Sequence, residues 1–308
     1  MTKLEVVFLG TSSATPTKGR NLPAVVIRRE GEVVLLDCGE GTQRRFVELG
    51  LGINKEMVVL ITHLHGDHVN GLLGLLQTMS MSQRGKRLTL VGPAGLYQWV
   101  KASMEMLNIG LTFDLEFISA KPGVVLRRPA FRIRCGRAKH SVEAYSYVFE
   151  ENPRPGVFDS SKARALGVPE GKKWSALQHG RSVVVKGRRV KPSQVLGPRR
   201  EGRSVGYSGD TRPSPSLVRL FSGADLVIFD STFAAADADK AVDRMHSTAV
   251  EAAGVAKKAR ARQLALTHFS ARYRNVSPLV TQARRVFPKT FAASDGMTFD
   301  VPERVSER

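Results

Sequence analysis

The chain has 308 residues, 42% of them hydrophobic, enough for one large buried core or for a domain carrying an insertion. No apolar run reaches the about 18 residues needed to span a bilayer, and the Met1–Gly10 stretch is too short for a secretory leader. Lys and Arg number 47 against 28 Asp and Glu, a formal net charge of +19, and such a field attracts polyanions. With only Cys38 and Cys135, and no CxxC pair, the chain lacks a disulfide framework and a thiolate metal site; a reducing, cytoplasmic setting is expected.

In chain order, the first seventy residues read as short strands at Leu4–Leu9, Ala24–Arg28 and Glu32–Asp37, a helix near Gly41–Leu49, and a strand at Met57–Thr62. That last strand is almost wholly apolar, which suits a central position buried on both faces. The spacing of Val69, Leu72, Leu73, Leu75, Leu76 and Met79 predicts a helix. A strand at Arg87–Val91 and a helix at Pro93–Leu107 follow. From about Phe113 the strand-rich pattern resumes, through Phe131–Cys135 and Ala144–Glu150, and again at Ser204–Ser208, Leu226–Asp230 and Gln263–Thr267, with a helix at Ser247–Arg260 between the last two. Two halves of similar make-up favour an α/β sandwich of two sheets covered by helices.

Residues 151–206 interrupt this pattern. They hold 13 Lys and Arg against 4 Asp and Glu, nearly half of the net positive charge in under a fifth of the chain. Pro, Gly and basic residues dominate, periodicity is weak, and the segment reads as an insertion projecting from the sandwich. Trp174 looks exposed from its neighbours, and packing within the insertion is the favoured role for it.

The chemistry is concentrated in Thr62-His63-Leu64-His65-Gly66-Asp67-His68, directly after the apolar strand. Imidazole nitrogens and carboxylate oxygens are the usual ligands of catalytic zinc. Alternation puts His63 and His65 on one side of an extended turn, and Asp67 and His68 can face a second metal. Three further strand-to-loop switches end in ligand-type residues: His140, Asp210 and His268. Functional groups gather at strand ends in α/β architectures, so these residues complete a dinuclear site of five His and two Asp.

This set resembles the metallo-β-lactamase superfamily, and further motifs resemble ribonuclease Z, the tRNA 3′-processing endonucleases. Pro16-Thr17-Lys18-Gly19-Arg20-Asn21 is similar to that family's PxKxRN loop, His246-Ser247-Thr248 to its HST motif, and His268–Tyr273 to its last ligand loop. Residues 166–180 resemble its flexible arm. The resemblance implies one αββα sandwich domain over residues 1–308 with 151–206 as an inserted tRNA-binding arm. It implies two Zn2+ per subunit, with Mn2+ or Fe2+ as possible substitutes: His63, His65 and His140 on one ion, Asp67, His68 and His268 on the other, Asp210 bridging. Asp67 would orient or deprotonate the water nucleophile and His246 would protonate the leaving 3′-oxygen, oriented by Asp230. Asp230 stands where many members carry a glutamate, and its shorter reach is a departure from the pattern. Lys18, Arg20 and Asn21 would hold RNA near the cut, and Lys172 and Lys173 the tRNA body. The expected partner is precursor tRNA, the expected assembly a homodimer in which one subunit's arm serves the other's site. The competing readings are a hydrolase of a small phosphodiester or thioester on the same fold, which leaves the basic arm idle, and a non-catalytic RNA-binding module, which should have lost ligands.

Overall fold

The computed structural model describes residues 3–304. It separates into a larger unit, residues 3–128 with Arg132–Glu150 and Ser204–Pro302, and a smaller one, Pro129–Phe131 with Glu151–Arg203 and residues 303–304.

Two seven-stranded mixed sheets make the larger unit. The first runs Thr298–Asp300, Leu4–Gly10, Ala24–Arg29, Glu32–Leu36, Glu56–Leu60, Leu88–Gly92, Leu115–Ser119; its pairings are antiparallel up to Glu32–Leu36 and parallel beyond. The second runs Thr290–Ala292, Leu264–Thr267, Leu226–Asp230, Ser204–Tyr207, Tyr145–Glu151, Phe131–Arg137, Gly123–Arg127. Its first four strands are parallel neighbours.

Strand side chains alternate between two buried faces. In the first sheet Val33, Leu35, Val59 and Leu90 pack outward against the helices Thr42–Glu48, Gly71–Met81 and Gly95–Met106 through Phe46, Leu72, Leu75, Leu76 and Val100. The second sheet does the same with Val227, Phe229, Leu264 and Leu266 against the helices Pro215–Leu220, Ala249–Lys258 and Ser277–Arg284. The intervening residues meet between the sheets, where the Tyr147 hydroxyl donates to the Ile61 carbonyl at 2.8 Å. Double burial is why these strands read as continuous apolar runs instead of alternating ones. The layering is helices, sheet, sheet, helices, the αββα sandwich expected.

The smaller unit differs from the weakly structured insertion suggested by its sequence. It has two short helices, Ser160–Ala165 and Lys172–Gln178, and a hairpin, Val183–Val185 with Arg188–Val190. These enclose a small core of Ala163, Val168, Leu177, Val185, Val190 and Val195. Trp174 packs against Phe158 with ring centroids 5.2 Å apart and donates its indole N–H to the Val168 carbonyl at 2.9 Å. Its exposed look in the sequence is corrected by this contact: the ring is a wall of the small core. Glu151 and Arg203, both buried, form an ion pair at 2.7 Å at the two ends of the segment.

Candidate metal centre

The seven predicted ligands come from both sheets and converge at one end of the sandwich. His63 and His65 follow the strand Glu56–Leu60, and Asp67 and His68 open the short helix Gly66–Val69. His140 follows Phe131–Arg137, Asp210 follows Ser204–Tyr207, and His268 follows Leu264–Thr267. Their ligand atoms form two overlapping groups, His63, His65, His140, Asp210 and Asp67, His68, Asp210, His268, each with its atoms within 4.8 Å of one another. Asp210 is common to both.

The backbone pays for this convergence in two places. Gly209 has φ +57°, and a Cβ there would lie 2.7 Å from the Thr62 side chain, so only glycine lets the Asp210 loop approach the His63 loop. His268 itself sits at φ 61°, a strained conformation for a side chain of its size.

Four of the five imidazoles, those of His63, His68, His140 and His268, are turned by a partner at the other nitrogen. His68 Nδ1 pairs with Asp37 Oδ2 at 2.7 Å. His63 Nδ1 pairs with the Thr62 hydroxyl at 2.9 Å, and that hydroxyl donates onward to Asp37 at 2.9 Å. The Tyr207 hydroxyl donates to the same carboxylate at 2.9 Å. Asp37, fully buried, is thus a hub beneath two ligands.

A second hub repeats the design from the other sheet. His268 Nδ1 pairs with Thr232 Oγ1 at 2.9 Å, Thr232 donates to Asp230 Oδ1 at 2.7 Å, and Asp230 Oδ2 accepts from His246 Nδ1 at 3.0 Å. The aspartate at position 230 therefore does reach His246. His140 Nδ1 donates to the Met245 carbonyl at 3.0 Å, which leaves its Nε2 directed toward His65 Nδ1 at 3.2 Å.

The atoms so presented suit a cation better than one another. His68 Nε2 and His268 Nε2 stand 3.3 Å apart, and each is 3.2 Å from Asp210 Oδ1. His63 Nε2 and Asp210 Oδ1 are buried with no hydrogen-bond partner among the described residues. Buried polar atoms are rarely left orphaned, and a divalent ion is the partner this donor set calls for. Electrostatics carries the same signature. Burial, with the neighbouring His68 charge, holds the His63 pKa well below the ordinary imidazole value. Burial opposes charge on His68 and His268 too, yet Asp210 and the other carboxylates push His68 well above that value and His268 up to about 10. Burial also raises Asp67, but the His268 hydrogen bond and the His68 charge outweigh it and hold the carboxyl below its usual range. Asp67 Oδ2 in addition accepts from the Ala14 amide at 2.9 Å.

The remaining predicted residues divide. His246 lies beside the cluster, its ring stacked on His268 with centroids 5.2 Å apart. Lys18 is exposed on its loop. Arg20 and Asn21 are engaged within the fold: Arg20 donates to the Tyr273 carbonyl at 3.1 Å and lies over the Phe269 ring, while the Asn21 side chain donates to Asp295 Oδ2 at 2.9 Å. Lys172 is exposed on the smaller unit, and Lys173 Nζ donates to the Val184 carbonyl at 2.8 Å. His179 is exposed on the same unit, paired with the Ser175 carbonyl.

Residues 173–269 match the beta-lactamase superfamily domain, and residues 4–149 the model of the anti-Pycsar protein Apyc1. The human short-form tRNase Z structure superposes with a TM-score of 0.71 at 28% identity, covering 97% of this chain and 99% of that one. A ribonuclease Z of Nitrosopumilus maritimus is 44% identical over 97% of this chain and 100% of its own length. One from Methanothermobacter thermautotrophicus is 43% identical over 97% of each. The chain belongs to the ribonuclease Z family. It is an endoribonuclease on the metallo-β-lactamase fold.

Against the ribonuclease Z motifs, the sequence reading missed Asp37, Thr62, Thr232 and the Met245 carbonyl. Asp37 had a signal: an aspartate at the end of an apolar strand, in Leu35-Leu36-Asp37-Cys38-Gly39. Thr232 sits two residues beyond Asp230, where its role depends on which way the loop turns. A main-chain carbonyl has no residue type to read.

Proposed function

We propose that this endoribonuclease removes the 3′ trailer from tRNA precursors with two zinc ions per subunit, leaving a 3′-hydroxyl on the tRNA and a 5′-phosphate on the trailer. His63, His65 and His140 would hold one ion, Asp67, His68 and His268 the other, and Asp210 would be shared. When bound, divalent ions supply the positive charge that acidifies a water nucleophile and offsets charge on a phosphodiester under attack. Mn2+ or Fe2+ can take such nitrogen and oxygen ligands as well.

The chain's own residues do the rest. Asp67, ionised and steadied by the Ala14 amide, orients the attacking water. His246 protonates the departing ribose 3′-oxygen. Burial opposes charge on its ring, but Asp230 and Asp210 outweigh it and raise its pKa, which favours the protonated form an acid needs. Asp230 keeps Nδ1 engaged, which leaves Nε2 as the donor.

The observation that carries this reading is that the hydrogen-bonded His246–Asp230 pair stands beside the two groups that share Asp210 and belongs to neither, although both residues also lie within reach of Asp210 and His268. Hydrolysis of an ester with a poor leaving group needs such an acid. Lys18 and Arg20 then contact the RNA beside the cut, with Asn21 holding their loop through Asp295. Lys172, Lys173 and the rest of segment 151–206 contact the tRNA backbone, RNA being recognised largely by shape and phosphate. Assembly as a homodimer, in a cytoplasmic setting, belongs to the same reading.

The test is cleavage of a precursor tRNA alongside hydrolysis of bis(p-nitrophenyl) phosphate. Removing the basic segment should abolish the first and spare the second; equal loss of both would sink the tRNA-binding assignment. His246→Ala should slow precursor cleavage by roughly 10²–10⁴-fold with bound metal unchanged.

A further inference from the structure

The loop that carries His246 is fastened from behind by a residue outside every motif considered so far. Arg212 follows Asp210 by two positions, and its guanidinium donates to the His246 carbonyl at 2.5 Å. The same group makes a two-pronged ion pair with Glu251, one prong at 2.9 Å and the other from Nη2 to Oε1. Glu251 in turn is the third residue of the helix Ala249–Lys258 and closes its capping box, accepting from the Thr248 amide at 2.9 Å while its own amide donates to Thr248 Oγ1 at 3.2 Å. The arginine thus ties the His246 carbonyl to a helix end that is itself pinned.

Main-chain bonds extend the brace. The Arg212 amide donates to the Lys139 carbonyl at 2.8 Å, and the Lys139 amide donates to Thr211 Oγ1 at 2.9 Å. His140 follows directly, and its ring donates to the Met245 carbonyl, one residue before His246. The loops bearing His140 and Asp210 are thus joined through main-chain groups and Thr211, which a change at the Arg212 side chain leaves in place, while the guanidinium itself holds only the His246 loop and Glu251. Met245 is held at φ 56°, a conformation that a methionine adopts only when its surroundings impose it. Among the described residues the guanidinium is the donor to the His246 carbonyl, so its loss removes that bond and unties the carbonyl from the helix end.

We infer that Arg212, through its pairing with Glu251, is a positioning residue for leaving-group protonation: it fixes the His246 backbone so that Nε2 stands where the departing 3′-oxygen emerges. The inference rests on the assignment of His246 as the acid. A planar guanidinium has donors enough to serve a carboxylate with two prongs and a carbonyl at once; an ammonium cannot span both in one geometry. A brace of this kind does not act on binding or on the nucleophile. It acts on the one step that a better leaving group makes unnecessary.

Single-turnover cleavage at saturating enzyme separates these possibilities. Two precursor tRNAs are compared, one normal and one with sulfur in place of the bridging 3′-oxygen, a leaving group that departs without a proton. Arg212→Ala is expected to cut the rate on the normal substrate by about 10–100-fold, and on the sulfur substrate by less than about threefold. Bound metal and precursor affinity should stay at the parent's values. Arg212→Lys and Glu251→Gln, which keep most of the packing, should show the same selectivity with smaller losses, and they decide the matter if the alanine variant does not fold. Equal losses on the two substrates, or no loss on either, overturns the inference. His246→Ala is run in parallel. If its defect is also equal on both substrates, the acid assignment falls and takes the brace with it; if His246→Ala is rescued by sulfur while the Arg212 variants are not, the brace alone is wrong.

Discussion

Four of the five candidate ligand histidines are aimed by what lies behind them. Asp37 accepts from His68, from Tyr207 and, through Thr62, stands behind His63, all in an interior without solvent. Replacing Asp37 with Ala leaves those donors without an acceptor and frees two rings to rotate. Metal affinity should fall by roughly 10–100-fold, measured as ion content after dialysis against a graded chelator; unchanged content would mean that the rings are held by packing alone. How much of the site was legible follows from the same residues. Ligand types at strand ends announce themselves in the sequence, and the structure sets the atoms of these seven within reach of one another. The groups that aim them do not: a threonine, a carbonyl and an aspartate on a neighbouring strand acquire their meaning only when the sheets meet. Arg20 and Asn21 show the reverse limit, since a motif names the residues of a loop without saying which face the RNA and which, like Asn21 on Asp295, hold the loop itself.

At the level of elements, the strand ends decide the geometry, and Gly209 is where two of them come closest. Gly209→Ala would put a methyl group 2.7 Å from Thr62 in a left-handed backbone conformation, at a cost of about 1–3 kcal/mol. Urea unfolding of the chelated protein should report that loss, and the variant should also bind metal more weakly because Asp210 shifts with it. A variant as stable as the parent would show that the two loops have slack. The main strands and helices were readable because apolar runs and long amphipathic stretches leave strong patterns. The elements of residues 151–203 were not. Helices of 6 and 7 residues, Ser160–Ala165 and Lys172–Gln178, span too few turns to display a period. Their six-residue core is scattered among basic side chains.

For the molecule as a whole, charge and closure matter most. The net +19 means that affinity for precursor tRNA should fall steeply with salt. Each phosphate contact contributes about 0.7–0.9 to the slope of log affinity against log salt. Replacing Lys172 and Lys173 together by Ala should flatten that slope by about 1–2, read from filter binding across a salt series; an unaltered slope would remove both from the contact surface.

The convergence of His68 and His268 has one more consequence. Their Nε2 atoms face each other at 3.3 Å although 200 positions of chain separate them, and they reach that point from different sheets. An ion gripped by both is a clasp on the open edge of a closed book, shutting a very long loop without a covalent bond. Because the unfolded chain offers no such grip, occupancy at about 100 times the dissociation constant adds about 2.7 kcal/mol to stability. Chelation should then lower the melting temperature by roughly 4 °C, and identical melting with and without chelator would show that the leaves stay shut unaided. Starving a cell of metal would on this view cost it the protein as well as the activity, because unclasped chains open more often to proteases.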